Sequence, residues 1–200
     1  MELYVATRNA GKLREMETLF AGSGIVLATY GAYEDPVEGD ASYADNAALK
    51  AHALHAQLLR AGIAGNVLAD DSGLEVFALD GRPGVLTAFY GGAELPWAER
   101  RRKLIAEVAA SGSADRRARF VCALHFVSAA GREFATLGTV DGEIAAEERG
   151  ELGFSFDPVF FYPPSDRTFA EMTAEEKNGV SHRAIAAAGL VAELKRAGLT

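Results

Sequence analysis

The stretch Val67-Leu68-Ala69-Asp70-Asp71-Ser72-Gly73-Leu74-Glu75-Val76-Phe77-Ala78-Leu79 constrains the chain most. Two apolar runs flank a polar knot, and the second run alternates Leu74, Val76 and Ala78 against Glu75, Phe77 and Leu79, as a strand does. Ser72-Gly73 after two aspartates reads as a turn, which puts Asp70 and Asp71 at a strand end. Adjacent carboxylates about 4 Å apart repel by roughly 4 kcal/mol at an effective dielectric near 20. Either the turn is open to water as an Asx turn, or something cationic sits between the acids and their neighbours.

Two hundred residues with 49% hydrophobic content suffice for a full core as one domain, residues 1–200, or as one domain with two lobes. A net charge of −8 without a basic stripe argues against a nucleic-acid polymer as ligand, while a small anion held by local lysines and a metal is compatible with it. The single cysteine, Cys122, lies in the apolar run Phe120 to Val127 and reads as a buried free thiol in a reducing compartment. A strand begins directly after Glu2, so no signal peptide is expected. No apolar run reaches membrane-spanning length, so the expected location is cytoplasmic, with no membrane partner.

Along the chain, Leu3 to Ala6 reads as a short strand, followed by Thr7-Arg8-Asn9-Ala10-Gly11-Lys12 and a helix with Leu13, Met16 and Phe20 on one face. Strand, glycine-bearing turn and helix can aim backbone N–H groups at an anion, although a plain connection with a surface lysine has the same outline. It is not a Walker A loop, because Ala6 and Leu13 occupy the places of its first Gly and its Ser or Thr. Ser42 with Asp45 gives a capping box for a helix to about Gly62, with Ala47, Ala51, Leu54 and Leu58 as core stripe. Tyr43, Asn46 and Lys50 share another face, ordinarily a wet one. Glu38, just ahead, reads equally as a loop acid. Residues 96–110 form a helix with Trp97, Leu104, Ile105 and Val108 inward and Arg100, Arg101, Arg102 and Lys103 solvated. Residues 119–127 and 133–144 make a long hairpin. A glycine-bearing loop, Gly150 to Pro158, leads into the apolar strand Val159 to Tyr162. Thr173 to Glu176 gives a second capping box, and Ser181-His182-Arg183 opens a final helix with Ile185, Leu190, Val191 and Leu194 inward. His182 alone would pass as a helix-cap histidine, and His52, His55 and His125 read as structural or surface residues.

In this order the segments resemble one family, the inosine triphosphate pyrophosphatases. The resemblance is carried by Thr7-Arg8-Asn9-Ala10-Gly11-Lys12, Glu38, Asn46-Ala47 with Lys50-Ala51, and Leu68 to Leu74. It continues through Pro83-Gly84-Val85, Gly153-Phe154 with Asp157-Pro158-Val159-Phe160, Thr168 to Glu171, Lys177-Asn178 and Ser181-His182-Arg183. It implies an elongated α/β fold of the ITPase-like, Maf-like kind, with a mixed central sheet flanked by helices, two lobes and a cleft, and a homodimer. It further implies hydrolysis of deaminated purine nucleoside triphosphates (ITP, dITP, XTP) to the monophosphate and pyrophosphate, with Mg2+. Carried over by position, Glu38 and Asp71 would hold the metal, with Asp71 also the proton acceptor and Asp70 beside it in the catalytic pair. Thr7, Arg8, Asn9, Ala10, Gly11 and Lys12 would meet the phosphates. Lys50, Ser72, Phe154, Ser155, Phe156, Asp157, Lys177, His182 and Arg183 would complete the nucleotide-binding set.

These assignments are chemically coherent. Mg2+ prefers carboxylate and phosphate oxygens and keeps several waters. Water becomes a nucleophile at neutral pH only with a metal and a base in reach. Lysines can neutralise the leaving pyrophosphate, Phe154 can stack on a purine, and Arg183 can donate to a 6-oxo group. The family's Glu-Thr-Gly, Gly-Tyr and Ser-Ala-Arg-Tyr are here Glu38-Gly39-Asp40, Ser155-Phe156 and Thr87-Ala88-Phe89-Tyr90, differences that bear on substrate preference. Two other readings share the motif set: a nucleotide sensor without turnover, and a pyrophosphatase for modified pyrimidine nucleotides.

Overall fold

The computed structural model describes residues 1–92 and 94–200. Among them, eight strands form one mixed sheet in the order β2-β1-β3-β5-β6-β7-β8, with β4 paired to β3. The strands are β1 Glu2–Ala6, β2 Val26–Ala28, β3 Asn66–Val76, β4 Pro83–Gly84, β5 Arg117–Val127, β6 Glu133–Ile144, β7 Phe160–Tyr162 and β8 Arg167–Thr168. The helices are α1 Ala10–Phe20, α2 Tyr43–Arg60, α3 Trp97–Ala110, α4 Ala174–Asn178 and α5 His182–Arg196. The expected mixed α/β architecture is the one observed. The chain divides into two compact units. The first comprises Met1–Asp71, Cys122–Gly138 and His182–Thr200, and the second Ser72–Val121 and Thr139–Ser181.

In the first unit β1 lies parallel to both β2 and β3, with Tyr4 opposite Ala28 on one side and Val67 on the other. Parallel strands need cover on both faces, and two apolar clusters supply it. Leu3, Val5 and Leu68 pack with Met16 and Phe20 of α1, with Cys122, and with Ala186, Leu190 and Leu194 of α5. Ala6, Val67 and Ala69, one residue out of phase, pack with Ala51, Leu54 and Leu58 of α2. In this first-unit part of β3 the period-2 alternation thus sends Leu68 toward α1 and α5 and Val67 and Ala69 toward α2. Asn9 caps α1, its Oδ1 accepting from the N–H groups of Gly11 and Lys12 at 2.9 and 3.1 Å. Ser42 caps α2 by accepting from Asp45 N at 3.0 Å. Asp45 does not return the bond to the cap backbone; its carboxylate accepts from the Ser42 hydroxyl at 2.7 Å.

The second unit is built on Leu74 and Val76 of β3, Leu104 and Val108 of α3, and an aromatic group around Phe160. Phe160 lies 4.5 Å from Phe120 and 4.9 Å from Phe169 between ring centres. β6, β7 and β8 run antiparallel in succession. Thr173 and Glu176 make the reciprocal capping box expected for α4.

Three local expectations are corrected. Asp70-Asp71-Ser72-Gly73 is not a turn: β3 runs unbroken from Asn66 to Val76. Arg100 is buried, donating to the carbonyls of Leu95 at 2.7 Å and Ala88 at 2.5 Å, so the loop before α3 draws one arginine off the solvated face. Ile185 is 47% exposed; α5 buries Ala186, Ala187, Leu190 and Leu194 instead.

Gly138 of β6 fixes where α5 begins. A Cβ there would collide with the His182 carbonyl oxygen and meet Ala186 N at 2.5 Å. Gly138→Ala is therefore expected to cost about 1–3 kcal/mol, the usual toll of overpacking, measured by urea unfolding. An unchanged midpoint would show that α5 does not depend on this approach.

Candidate active site

The alternation of β3 separates the two aspartates. Asp70 follows the phase of Leu68 and Asp71 that of Ala69, so their carboxylates stand on opposite faces of the sheet. This removes most of the repulsion that adjacent acids would suffer on one side, and gives each its own counter-ions.

Asp71 meets α2. Lys50 Nζ donates to Asp71 Oδ1 at 2.7 Å and to Glu38 Oε2 at 3.3 Å. One ammonium thus draws a loop acid and a strand acid to a common point. Asn46, one turn earlier, ties the Glu38 loop down: it accepts from Gly39 N at 2.9 Å and donates to Gly39 O at 3.0 Å. Its amide nitrogen also lies 3.4 Å from Asp71 Oδ2. The side chains of Lys50 and Asp71 are 7% and 6% exposed, while Glu38 keeps 28%, so the acid pair opens to water on the Glu38 side.

Asp70 meets α1 and α5. Its carboxylate is paired with Lys12 of α1 through Oδ1, accepts from Arg183 Nε at 3.2 Å, and accepts from the Cys122 thiol at 3.0 Å. Arg183 is also ion-paired with Glu15, one turn after Lys12 on α1. The network runs through four elements, α1, β3, β5 and α5, and Asp70 and Arg183 are 1% and 2% exposed.

These surroundings push the two carboxyls apart. Burial raises Asp71, and although Lys50 and Lys12 pull it down, burial with the help of Glu38 prevails, so Asp71 stands above the ordinary aspartate value. Burial acts on Asp70 in the same direction, but the charges of Lys12 and Arg183 overcome it and hold Asp70 far below the carboxylate range. Such divergence marks one group able to exchange a proton and one fixed as an anion. Burial tends to lower Lys50, yet Asp71, Asp70 and Glu38 together raise it, so it stays protonated. Burial raises the Cys122 thiol, which is therefore an inert donor.

The segment ahead of α1 faces solvent. Thr7 Oγ1 accepts from Asn9 N at 3.2 Å, and Arg8, Asn9 and Ala10 are exposed. Thr7 and Arg8 line a cavity of about 310 Å³ with Val5, Tyr30, Tyr33 and Glu34. The amides of Gly11 and Lys12 are taken by Asn9 Oδ1, so what the exposed start of α1 offers an oxyanion is the positive end of the helix dipole beside Lys12.

The second unit holds a separate cluster. Lys177 of α4 donates to Asp157 Oδ2 at 2.7 Å, the same oxygen accepts from Phe154 N at 2.7 Å, and the ammonium lies 4.8 Å from the Phe154 ring centre. Gly153, at φ +74°, has no room for a Cβ against the Asp157 carboxylate, and Ser155 takes a left-handed φ of +57°. The loop is thereby folded tightly around Asp157.

Of the residues singled out from the sequence, Glu38, Lys50 and Asp71 come together, and Lys12, Asp70 and Arg183 come together. Phe154, Asp157 and Lys177 form the third group, while Ser72 belongs to the second unit. His182 is 5% exposed at the start of α5. Two placements depart from expectation. Phe156, assigned to the nucleotide, is fully buried in the second core, edge-on to Trp97 at 5.4 Å and Tyr90 at 6.0 Å. Asp70, assigned to the chemistry beside Asp71, is turned to the other face and enclosed by its partners. Glu15 and the hydrogen-bonding role of Cys122 escaped sequence reasoning. Glu15 carries no local signal beyond standing one turn from Lys12.

Comparison with known proteins gives the family and the fold. The sequence pattern of the Ham1 family matches residues 3–193. A dITP/XTP pyrophosphatase of Geobacillus kaustophilus is 45% identical over 187 residues, covering 92% of this chain and 89% of that protein. The dITP/XTP pyrophosphatase of Bacillus subtilis is 40% identical over 187 residues, covering 92% and 91%. The solved structure of a HAM1 protein from Coxiella burnetii superposes with a TM-score of 0.87 at 34% identity, covering 98% of this chain and 99% of that one.

Removing the Asp70 charge leaves the buried Arg183 and the partly buried Lys12 without it, so Asp70→Asn is expected to cost about 3–5 kcal/mol at pH 7. Because the folded-state pKa of Asp70 is depressed, its contribution is complete above the unfolded value near 3.9 and is lost as the pH falls below it. The stability gap between variant and wild type should therefore narrow between about pH 5 and pH 2, measured by denaturant unfolding across that range. A gap that stays constant would refute the pairing.

Proposed function

The chain belongs to the Ham1 family, and we propose that it is a nucleoside-triphosphate pyrophosphatase that hydrolyses ITP, dITP and XTP to the monophosphate and pyrophosphate. The observation that carries this reading is the convergence of Glu38 and Asp71 on the Lys50 ammonium, with Asp71 raised and Asp70 depressed. The names of the relatives from Geobacillus kaustophilus and Bacillus subtilis supply the substrate class.

The donor set suits a hard cation. Glu38 and Asp71 offer carboxylate oxygens to one point already tolerant of positive charge, and the Glu38 side is open to water and phosphate. Mg2+ favours such oxygens and leaves room for waters and substrate. When bound, it would lower the pKa of an attacking water and neutralise phosphate charge. Asp71 accepts the proton of that water as a new O–P bond forms and the anhydride bond between the α- and β-phosphates breaks. Its place beside Glu38, at the entry open to water, suits it to that proton transfer. Lys50, protonated throughout, keeps Asp71 and Glu38 in position. Thr7, Arg8 and Asn9, at the positive end of the α1 dipole, hold the phosphate tail, and Lys12, anchored by Asp70, offsets the charge of the departing pyrophosphate.

Asp70 in this reading is a positioning residue, since it touches Lys12 and Arg183 rather than substrate. Phe154 stacks on the purine. Asp157, Lys177, His182 and Arg183 complete base and sugar recognition as the resemblance implies, with Lys177 held by Asp157 and Arg183 held by Asp70 and Glu15. Buried donors of this kind favour a 6-oxo purine, because a 6-amino group would leave them unpaired. Among the described residues no helix is long and apolar enough to cross a membrane. The homodimer implied by the resemblance and the cytoplasmic location expected from the sequence complete the reading.

Wild type is expected to convert ITP to IMP and pyrophosphate only with Mg2+ present. Asp71→Asn should keep its circular dichroism and lose about 100- to 10 000-fold in kcat. Near-normal turnover in Asp71→Asn would remove the base assignment, and release of orthophosphate with a diphosphate would remove the reaction class.

A further inference from the structure

Three side chains that the proposed reaction does not use converge on one point in the first unit. His52 comes from α2, His125 from β5 and Glu133 from the start of β6. His52 Nε2 lies 3.1 Å and His125 Nε2 2.8 Å from the same oxygen, Glu133 Oε2. One donor atom from each residue lies within 4.8 Å of the other two. The imidazole rings stand nearly perpendicular, 77° apart with centres at 5.4 Å, so their ring nitrogens point inward rather than stacking face to face.

We propose that His52, His125 and Glu133 form a second metal site, for Zn2+ and its borderline divalent neighbours Co2+ and Ni2+. Two imidazole nitrogens and one carboxylate oxygen are the donors such ions prefer, whereas Mg2+ selects oxygens alone. Bonds of about 2.0–2.2 Å in a tetrahedron place neighbouring donors about 3.3 Å apart. The observed 2.8 and 3.1 Å are short of that by a few tenths of an ångström, an expansion that exposed side chains accommodate. His125, 13% exposed, supplies the fixed ligand, while His52 and Glu133, 52% and 43% exposed, can adjust around it.

The backbone holds the ligands in register. The turn between β5 and β6 is closed by Ser128 N donating to Arg132 O at 2.7 Å and Arg132 N donating to Ser128 Oγ at 2.8 Å. His125 and Glu133 are thereby held on adjacent strands, close enough for their side chains to meet. His52 lies two residues after Lys50 on α2, and Ala51 and Leu54, on either side of it in sequence, are buried in the core below that helix. Three protein ligands leave a fourth position for water, at a surface open through His52 and Glu133. An ion bound there ties α2 to the β5–β6 hairpin and so steadies the helix that carries Asn46 and Lys50.

The test is Zn2+ binding to the full-length, chelator-treated protein by isothermal titration calorimetry, in excess Mg2+. The Mg2+ keeps the Glu38–Asp71 pair out of the measurement. One Zn2+ per chain is expected, with a rise in Tm on binding. His52→Gln, at an exposed position where the fold should persist, and Glu133→Gln should each weaken binding by at least about tenfold, a loss that even outer-shell changes can produce. Glu38→Gln should leave it unchanged. Co2+ should give visible absorption bands in wild type that His52→Gln lacks. Absence of Zn2+ binding in Mg2+, equal binding by His52→Gln, or loss of binding in Glu38→Gln alone would each overturn the site.

Discussion

The pleat of a single strand sorts the charges of this protein. Because β3 continues through Asp70 and Asp71, successive carboxylates leave the backbone on opposite faces. Each then meets a different helix layer. Asp70 enters the α1–α5 side, where Lys12 and Arg183 enclose it. Asp71 enters the α2 side, where Lys50 brings Glu38 to it. A slip of one residue in the register of β3 would exchange these partners and leave both networks broken.

The two networks answer different needs. Burying a carboxylate and a guanidinium together recovers the desolvation cost only with close geometry and several hydrogen bonds. Asp70 has Lys12, Arg183 and the Cys122 thiol, and Arg183 has Glu15 as well. That pairing locks the start of α1 to the start of α5, next to the exposed residues 8–10 and to His182. The Asp71 network is left partly open. Glu38 is reached by water, and a single ammonium serves two acids, so the pair keeps negative charge beyond what Lys50 offsets, and burial has raised Asp71.

Much of this was legible from the sequence, and the failures have physical causes. The helical periods of α1, α2 and α3 and the long β5–β6 hairpin follow from local apolar spacing, and so do the caps at Ser42 and Thr173. The Asp-Asp-Ser-Gly segment read as a turn because local rules assume that adjacent acids seek water. Counter-ions from α1, α2 and α5 keep it in a strand, and Arg183 lies 113 residues away from Asp70. Arg100 looked solvated because nothing nearby in sequence shows that the carbonyls of Ala88 and Leu95 need donors. Phe156, next to ligand-type residues in sequence, packs in the core against Trp97 and Tyr90, which come from segments distant in sequence. His52 and Glu133 are separated by 81 residues, and no spacing rule joins them. Lys50 was visible only as one polar residue on a helix face; its central place depends on the fold bringing Glu38 and Asp71 to it.

The account stands on Glu38 and Asp71 acting as one unit around a divalent ion. The direct measurement is a double-mutant cycle on Mg2+ affinity, using Glu38→Gln, Asp71→Asn and the double variant with a non-hydrolysable ITP analogue, read by isothermal titration calorimetry. A shared site predicts strong coupling, with each single variant losing nearly as much affinity as the double. Additive losses, or a Mg2+ affinity indifferent to either residue, would contradict it.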